Sequence, residues 1–176
     1  MKLSIIFPVA LTFTVAAFIF TASACSVVSN VEITFYGYPD NSPPGAGIAY
    51  NCGRGFTAGG TGTYSDPLTM ATAPKEYNKC EIVYLPYLKK YLRFEDICEE
   101  CTSDYNKGVK HIDIWTGSST VNGGQKQLNC ENSLTPDGNQ VVIRQPASNL
   151  AVNAAALFQN GNCNTGGTYP GNTAGC

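Results

Sequence analysis

The residues best suited to chemistry lie between Phe94 and Gly117. This stretch reads Phe-Glu-Asp-Ile-Cys-Glu-Glu-Cys, then a polar turn around Asp104 to Gly108, then Val-Lys-His-Ile-Asp-Ile-Trp-Thr-Gly. It holds the chain's single His and single Trp, a Cys-x-x-Cys, and two carboxylates, Asp96 and Asp113, at the ends of strand-like runs. In an extended strand alternate side chains share a face, so Ile112 and Ile114 point one way and His111, Asp113 and Trp115 the other. With the isoleucines directed to a core, an acid, an imidazole and an indole line the more open face. A carbohydrate groove needs that combination: a carboxyl to move a proton and an aromatic plate for a sugar ring. The same residue types also suit a His that caps a strand and a Trp that fills a hole.

The elements that must position these groups are short strands. Val31 to Tyr36 alternates, with Val31, Ile33 and Phe35 on one face and Glu32, Thr34 and Tyr36 on the other. Gly37 to Gly47 is dense in turn formers and follows that polar face, so Tyr36, Tyr38 and Asp40 can rim the same groove as Asp113. Gly53 to Gly62 is glycine-rich, but no Gly-Lys-Ser/Thr follows it, which excludes a phosphate loop. A turn from Thr61 enters a strand toward Met70. Cys80 to Leu85 is another strand, and Tyr87 to Phe94 fits either a paired strand or one helical turn. Gln125 to Leu134 suits a short helix, Val141 to Gln145 a last strand, and Leu150 to Phe158 an ordered segment. Six or seven short strands with little helix predict an all-β sandwich or small closed barrel.

The opening Met1-Lys2, the apolar run from Leu3 to Phe20 and the small-residue site Ala22-Ser23-Ala24 form a secretory signal pattern, leaving residues 25–176 as one domain. All 8 cysteines lie downstream of that site. An even count in a secreted chain predicts four disulfides, with Cys98 and Cys101 among their members. One Cys-x-x-Cys and one His are too few for a structural zinc site, and no cofactor motif is present, so neither metal nor cofactor is expected. The formal net charge of −2 and a pI near 5.3 give no footprint for nucleic acid. The expected molecule is a secreted monomer with no membrane attachment after cleavage.

Thr34-Phe-Tyr36 in a first strand, a strand ending at Asp96-Ile-Cys98-Glu-Glu-Cys101, and His111-Ile-Asp113 together resemble the double-psi β-barrel proteins: barwin, expansins, family 45-like endoglucanases and lytic transglycosylases with the 3D domain. The resemblance spans Val31 to Val142. It implies a six-stranded double-psi β-barrel with short helices and long disulfide-tied loops. Asp113, within Asp-Ile-Trp-Thr-Gly117, looks like the catalytic acid of these enzymes, and Asp96 looks like the Asp preceding it on a neighbouring strand. Two departures stand out: the endoglucanases' Tyr-Trp-Asp is here Phe35-Tyr36-Gly37, and the about 30 residues after Val142 are too few to be expected to form the second, carbohydrate-binding domain of expansins.

The implied activity is glycosidic bond cleavage in a cell-wall polysaccharide, as a muramidase or lytic transglycosylase on peptidoglycan. The alternatives are a family 45-like β-glucanase, a chitin-directed activity, or an expansin-like module that binds or loosens walls without turnover. Inverting hydrolysis would pair Asp113 as acid with Asp40 or Asp66 as base. Lytic cleavage needs Asp113 alone, starting protonated against an apolar wall such as Trp115. Asp96 shares strand parity with Leu92 and Phe94, is expected to face inward, and reads as support for Asp113 or for a buried turn before it reads as catalytic. Thr34, Tyr36, Tyr38, Asp40, Tyr64, Asp66, His111 and Trp115 complete the expected substrate-binding set, with His111 a strand-end hydrogen-bonding residue. Glu95 and Glu131 read as solvated acids.

Overall fold

The computed structural model describes residues 24–117 and 121–176. The signal pattern of residues 1–24 lies, except for Ala24, outside them. Six strands close into a barrel in the order β1-β5-β2-β4-β3-β6: β1 Ser26–Tyr36, β2 Leu68–Thr72, β3 Ile82–Leu85, β4 Lys90–Ile97, β5 Lys110–Trp115 and β6 Gln140–Arg144. Two neighbour pairs are parallel, β1 with β5 and β2 with β4; the other four are antiparallel. Two helices, α1 Glu99–Tyr105 and α2 Gly124–Leu134, pack outside, and a two-stranded ribbon, β7 Phe158–Gln159 with β8 Asn162–Cys163, follows. Of the sandwich and the small closed barrel that strand spacing allowed, the closed barrel is present, with the six strands the resemblance implied, as is the short helix expected from Gln125.

Val31, Ile33 and Phe35 of β1, Met70 of β2, Phe94 of β4 and Ile112 and Ile114 of β5 pack together in the barrel's buried core. β1 serves two partners because its register shifts between Val28 and Val31, where Asn30 adopts φ 59°, a left-handed conformation that Asn tolerates better than most residues. The ambiguous stretch after Leu85 turns at Pro86–Lys89 and runs back as β4, antiparallel to β3.

Three expectations fail for physical reasons. The run to Cys101 is not all strand: it ends at Ile97 and α1 begins at Glu99. Cys98 is extended, its Sγ accepts from the Cys101 backbone N–H at 2.9 Å, and Glu99 and Glu100 in the first turn suit the helix dipole. Asp96 does not share a face with Phe94. Between them the β2–β4 register shifts, so that Met70 pairs with Phe94 but Ala71 pairs with Asp96, and this bulge re-aims the carboxylate outward. Nor is the outer face of β5 open along its length: His111 is 1% and Trp115 0% exposed. A parity rule separates two faces but does not say that α1, α2 and the loops cover the second one.

Four disulfides form, Cys25–Cys176, Cys52–Cys80, Cys98–Cys101 and Cys130–Cys163, and no cysteine is free. Cys52–Cys80 ties the long β1–β2 connection to the edge of β3, Cys130–Cys163 ties α2 to the ribbon, and Cys25–Cys176 closes the tail on β1. Such links remove conformational freedom from the unfolded chain and hold loops that have little core of their own. Among the described residues no helix is long and apolar enough to cross a membrane.

Candidate functional site

Register places the candidate residues in one row across the barrel. Thr34 on β1 pairs with Asp113 on β5, Asp113 with Ala71 on β2, and Ala71 with Asp96 on β4. Paired residues present their side chains to the same face, so the two carboxyls flank the small Ala71. Two strand spacings of about 4.8 Å put their backbones about 9.6 Å apart. Above this row opens a groove of about 720 Å³, whose lining includes Tyr36, Asp40, Phe56, Ala71, Asp96 and Asp113. Pro43, Pro44, Ile48 and Ala49 from the β1–β2 connection form one side, and Ile97 to Glu100 at the start of α1 contribute to the other.

Asp113 is partly buried at the back of this groove. The Thr34 hydroxyl donates to its Oδ1 at 2.8 Å and meets Nε2 of His111 at 2.9 Å, while Nδ1 of His111 lies 3.0 Å from Oδ2 of Asp104. A hydrogen-bonded chain thus runs from the end of α1 through a buried imidazole and a hydroxyl to the groove carboxyl. Burial pushes Asp113 from 3.8 up to about 7; the Thr34 bond and His111 pull against it, and nearby Asp40 adds to it. A carboxyl near 7 exchanges a proton readily at neutral pH, as a general acid or base requires.

Asp96 has a different character. Its Oδ1 accepts from the backbone N–H groups of Ala49 and Ile97, both at 2.9 Å, and its Oδ2 from the Tyr36 hydroxyl at 3.1 Å. Burial raises its pKa and these three bonds oppose the rise. It anchors the groove wall at Ala49 and orients Tyr36, whose own pKa is raised well above the ordinary value by burial and by Asp96 and Asp113.

Asp40 reaches the groove because the loop after β1 folds back. Asn41 N–H donates to Gly37 O at 3.0 Å, Gly45 N–H to Tyr38 O at 3.0 Å, and Gly37 N–H to the Asp40 carboxylate at 2.8 Å. A Cβ at Gly37 would meet the ends of the Gln127 and Glu131 side chains on α2, which would have to shift to admit it.

The other expected residues divide clearly. Thr34 and His111 stand behind Asp113 without lining the groove, and Tyr38 packs against the core. Trp115 is no exposed plate: it is fully buried, stacks edge-on against Tyr36 at 5.2 Å, and donates from Nε1 to Gly117 O at 2.6 Å. Asp66 lies outside the groove, paired with Arg54 at 2.7 Å, and Tyr64 stacks edge-on against Tyr91 beside a separate hollow near Cys80 and Pro146. Glu95 and Glu131 are not solvated, being 0% and 4% exposed; Glu95 is held by Arg93, Arg54 and Thr69.

Several residues in or behind the groove are invisible to parity and motif. Phe56 is 62% exposed on the groove wall, and its signal was a lone aromatic within a glycine-rich loop. Asp104 on α1 reaches His111, and Glu131 on α2 accepts from the Thr116 hydroxyl at 2.9 Å. Glu32, Asp104 and His111 offer ligand-type atoms within 4.8 Å of one another. Both ring nitrogens of His111 already have partners, so a cation there would have to displace one of them.

Residues 28–164 match the family described as the DDB_G0273701 N-terminal domain. An uncharacterized protein of Dictyostelium discoideum, DDB_G0273701/DDB_G0273221, is 39% identical over 144 residues, which cover 81% of this chain and 62% of the relative. The chain therefore spans less than two thirds of that relative's length. No solved structure matches. The family match takes in β1 from Val28, the other five barrel strands, both helices and every groove residue named above, and on that extent the chain belongs to the DDB_G0273701 N-terminal domain family.

Proposed function

We propose that this protein is a secreted enzyme that cleaves glycosidic bonds in a cell-wall polysaccharide, peptidoglycan first among the substrates, with Asp113 as the general acid/base. The observation that carries this reading is the Asp113 carboxyl, held by Thr34 at the back of a groove about 720 Å³ in volume and poised near 7 by burial. The groove suits an extended, neutral, hydroxyl-rich chain: Phe56 supplies an exposed ring face for a sugar, and Asp40 and the loop backbone supply polar edges. The two parallel pairings, β1 with β5 and β2 with β4, support a double-psi barrel of the kind found in expansins, family 45-like endoglucanases and 3D-domain transglycosylases. Four disulfides support an oxidising, extracellular setting, and an acidic pI argues against nucleic acid as partner.

In the lytic form of the reaction, protonated Asp113 gives its proton to the glycosidic oxygen as the C–O bond breaks. The resulting carboxylate then takes a proton from the sugar's own hydroxyl as that oxygen bonds to the anomeric carbon. Thr34 stabilises the charged form by donating to Oδ1 and sets its orientation. Asp96 acts through position, since all three of its hydrogen bonds go to the protein.

One feature favours a second reading, a barrel that binds or loosens walls without turnover: the indole expected to face the sugar is buried, leaving Phe56 as the exposed ring of the groove. Incubating the protein and Asp113→Asn with purified peptidoglycan, cellulose and chitin, and measuring soluble fragments by mass spectrometry, separates the two. Fragments from the native protein and none from the variant are expected. No fragments from either, with the polysaccharide still bound, would establish the second reading, and equal release by both would remove Asp113 from the chemistry.

A further inference from the structure

Among the described residues three buried side-chain atoms have no hydrogen-bond partner, and two of them, Oε1 of Glu76 and the hydroxyl of Tyr77, belong to neighbours in the β2–β3 connection. Both residues line one cavity of about 330 Å³, separate from the groove. Val28 from β1, Tyr105 at the end of α1, Lys110 at the start of β5 and Arg144 at the end of β6 are among its other walls. β1 carries the chain about 25 Å from Val28, in this cavity, to Tyr36, in the groove.

A buried polar atom without a partner gives up the hydrogen bonds it makes to water in the unfolded chain, so each one in a folded protein calls for an explanation. Tyr77 is 3% exposed; its ring packs in the core and beneath the Arg144 guanidinium, which lies 4.8 Å from the ring centre. Glu76 is fixed as well, since its Oε2 accepts from the Thr72 hydroxyl at 2.8 Å. Arg144 is committed to Glu81 through two N–H donors at 2.6 Å and to the Glu76 carbonyl oxygen at 3.3 Å. Lys110 has three N–H donors, and among the described residues one of them bonds, to Ser29 O at 3.0 Å.

We propose that this cavity is a second ligand site, which takes one sugar ring of a neutral glycan chain. A hydroxyl both donates and accepts, so neighbouring hydroxyls on one ring can donate to Glu76 Oε1 while accepting from Tyr77 and Lys110. An anion has no proton to give Glu76. A cation cannot accept from Lys110 and meets two positive side chains, Lys110 and Arg144. Tyr105, 39% exposed, supplies a ring face for the sugar's C–H surface. Such a site gives the protein a second hold on a polysaccharide while the groove works on it; that use rests on the glycan reading above, whereas the binding itself does not.

The test is an NMR titration with two neutral probes, cellotriose and N,N′,N″-triacetylchitotriose, and one anionic probe, trigalacturonate, at a single pH and salt concentration. Expected are saturable shifts of Tyr77, Tyr105 and Lys110 signals with a neutral trisaccharide and none with trigalacturonate. These shifts should persist in Phe56→Ala, which removes the groove's exposed ring, and the affinity behind them should fall roughly fivefold in Tyr77→Phe and in Glu76→Gln. Without ligand, Tyr77→Phe should unfold no earlier than the native protein, because a hydroxyl with no partner has no bond to lose. No shift at these residues with either neutral sugar, equal affinity in Tyr77→Phe, or a Tyr77→Phe that is less stable without ligand overturns the proposal. Should Glu76→Gln fail to fold, Tyr105→Ala, a surface change, takes its place, and unchanged affinity there overturns it equally. The titration reads binding alone, so a protein that binds here and releases no fragments keeps this site while the cleavage reading falls.

Discussion

Replacing Asp113 with Asn should change how stability depends on pH. In the unfolded chain this carboxyl ionises near its ordinary 3.8, but burial in the groove holds it protonated up to about 7. Between those values the folded protein binds a proton that the unfolded chain has released. The contribution of Asp113 to stability is therefore largest below about pH 4, falls as pH rises through this window, and levels off above pH 7. A difference of roughly three units at about 1.36 kcal/mol each amounts to about 4 kcal/mol. Asn has no proton to lose, so the variant should lack this part of the slope and gain relative stability at high pH. Urea unfolding of both proteins at about pH 4 and pH 8 measures it, with the difference between proteins isolating Asp113. Glu81 works in the opposite sense: hydrogen bonds from Arg144 and Asn78 outweigh its burial and hold it low, so its contribution is present above its ordinary value and lost in acid. It is common to both proteins and cancels. If native and Asp113→Asn lose the same stability between the two pH values, the carboxyl is not held neutral by the fold, and the argument for it as an acid at neutral pH fails.

Thr34→Val keeps the shape but removes the donor to Asp113 and a partner of His111, and should raise the Asp113 midpoint further while costing roughly 1–2 kcal/mol in unfolding free energy; an unmoved midpoint in a carboxyl titration would refute the link. Phe56→Ala should weaken polysaccharide binding roughly tenfold with the unfolding midpoint unchanged, because the ring stands on the surface; equal retention in a pull-down on insoluble glycan would exclude it from recognition. Trp115→Ala should do the reverse of a binding-site change, costing roughly 3–5 kcal/mol of stability through a cavity under Tyr36, as read by denaturation.

Much of the fold is legible in short-range pattern because it depends on local chemistry. Alternation in Val31 to Tyr36 and in His111 to Trp115 marks two strands, the turn-rich segments separate them, and eight cysteines imply four bridges. Parity also brings His111 and Asp113 to one face, where the structure links them through Thr34. Parity fails at Asp96 because a bulge inserts one residue between it and Phe94, and nothing in the local sequence announces a bulge. It fails differently at Trp115, where the face is assigned as expected but covered.

The sequence by itself determined the strand periodicity, the disulfide chemistry and the supply of carboxylates, since these follow from residue type and spacing of two. Which carboxylates meet was decided by tertiary structure alone. Asp113 neighbours Ala71 and Asp96 because barrel closure pairs β5 with β2 and β2 with β4, and α2 brings the Gln127 and Glu131 side chains up against Gly37 after β1. Asp66 was removed by Arg54, an ion pair spanning a loop. Proton affinities belong to the same category, because the burial that lifts Asp113 and Glu131 to about 7 comes from groups distant in the chain.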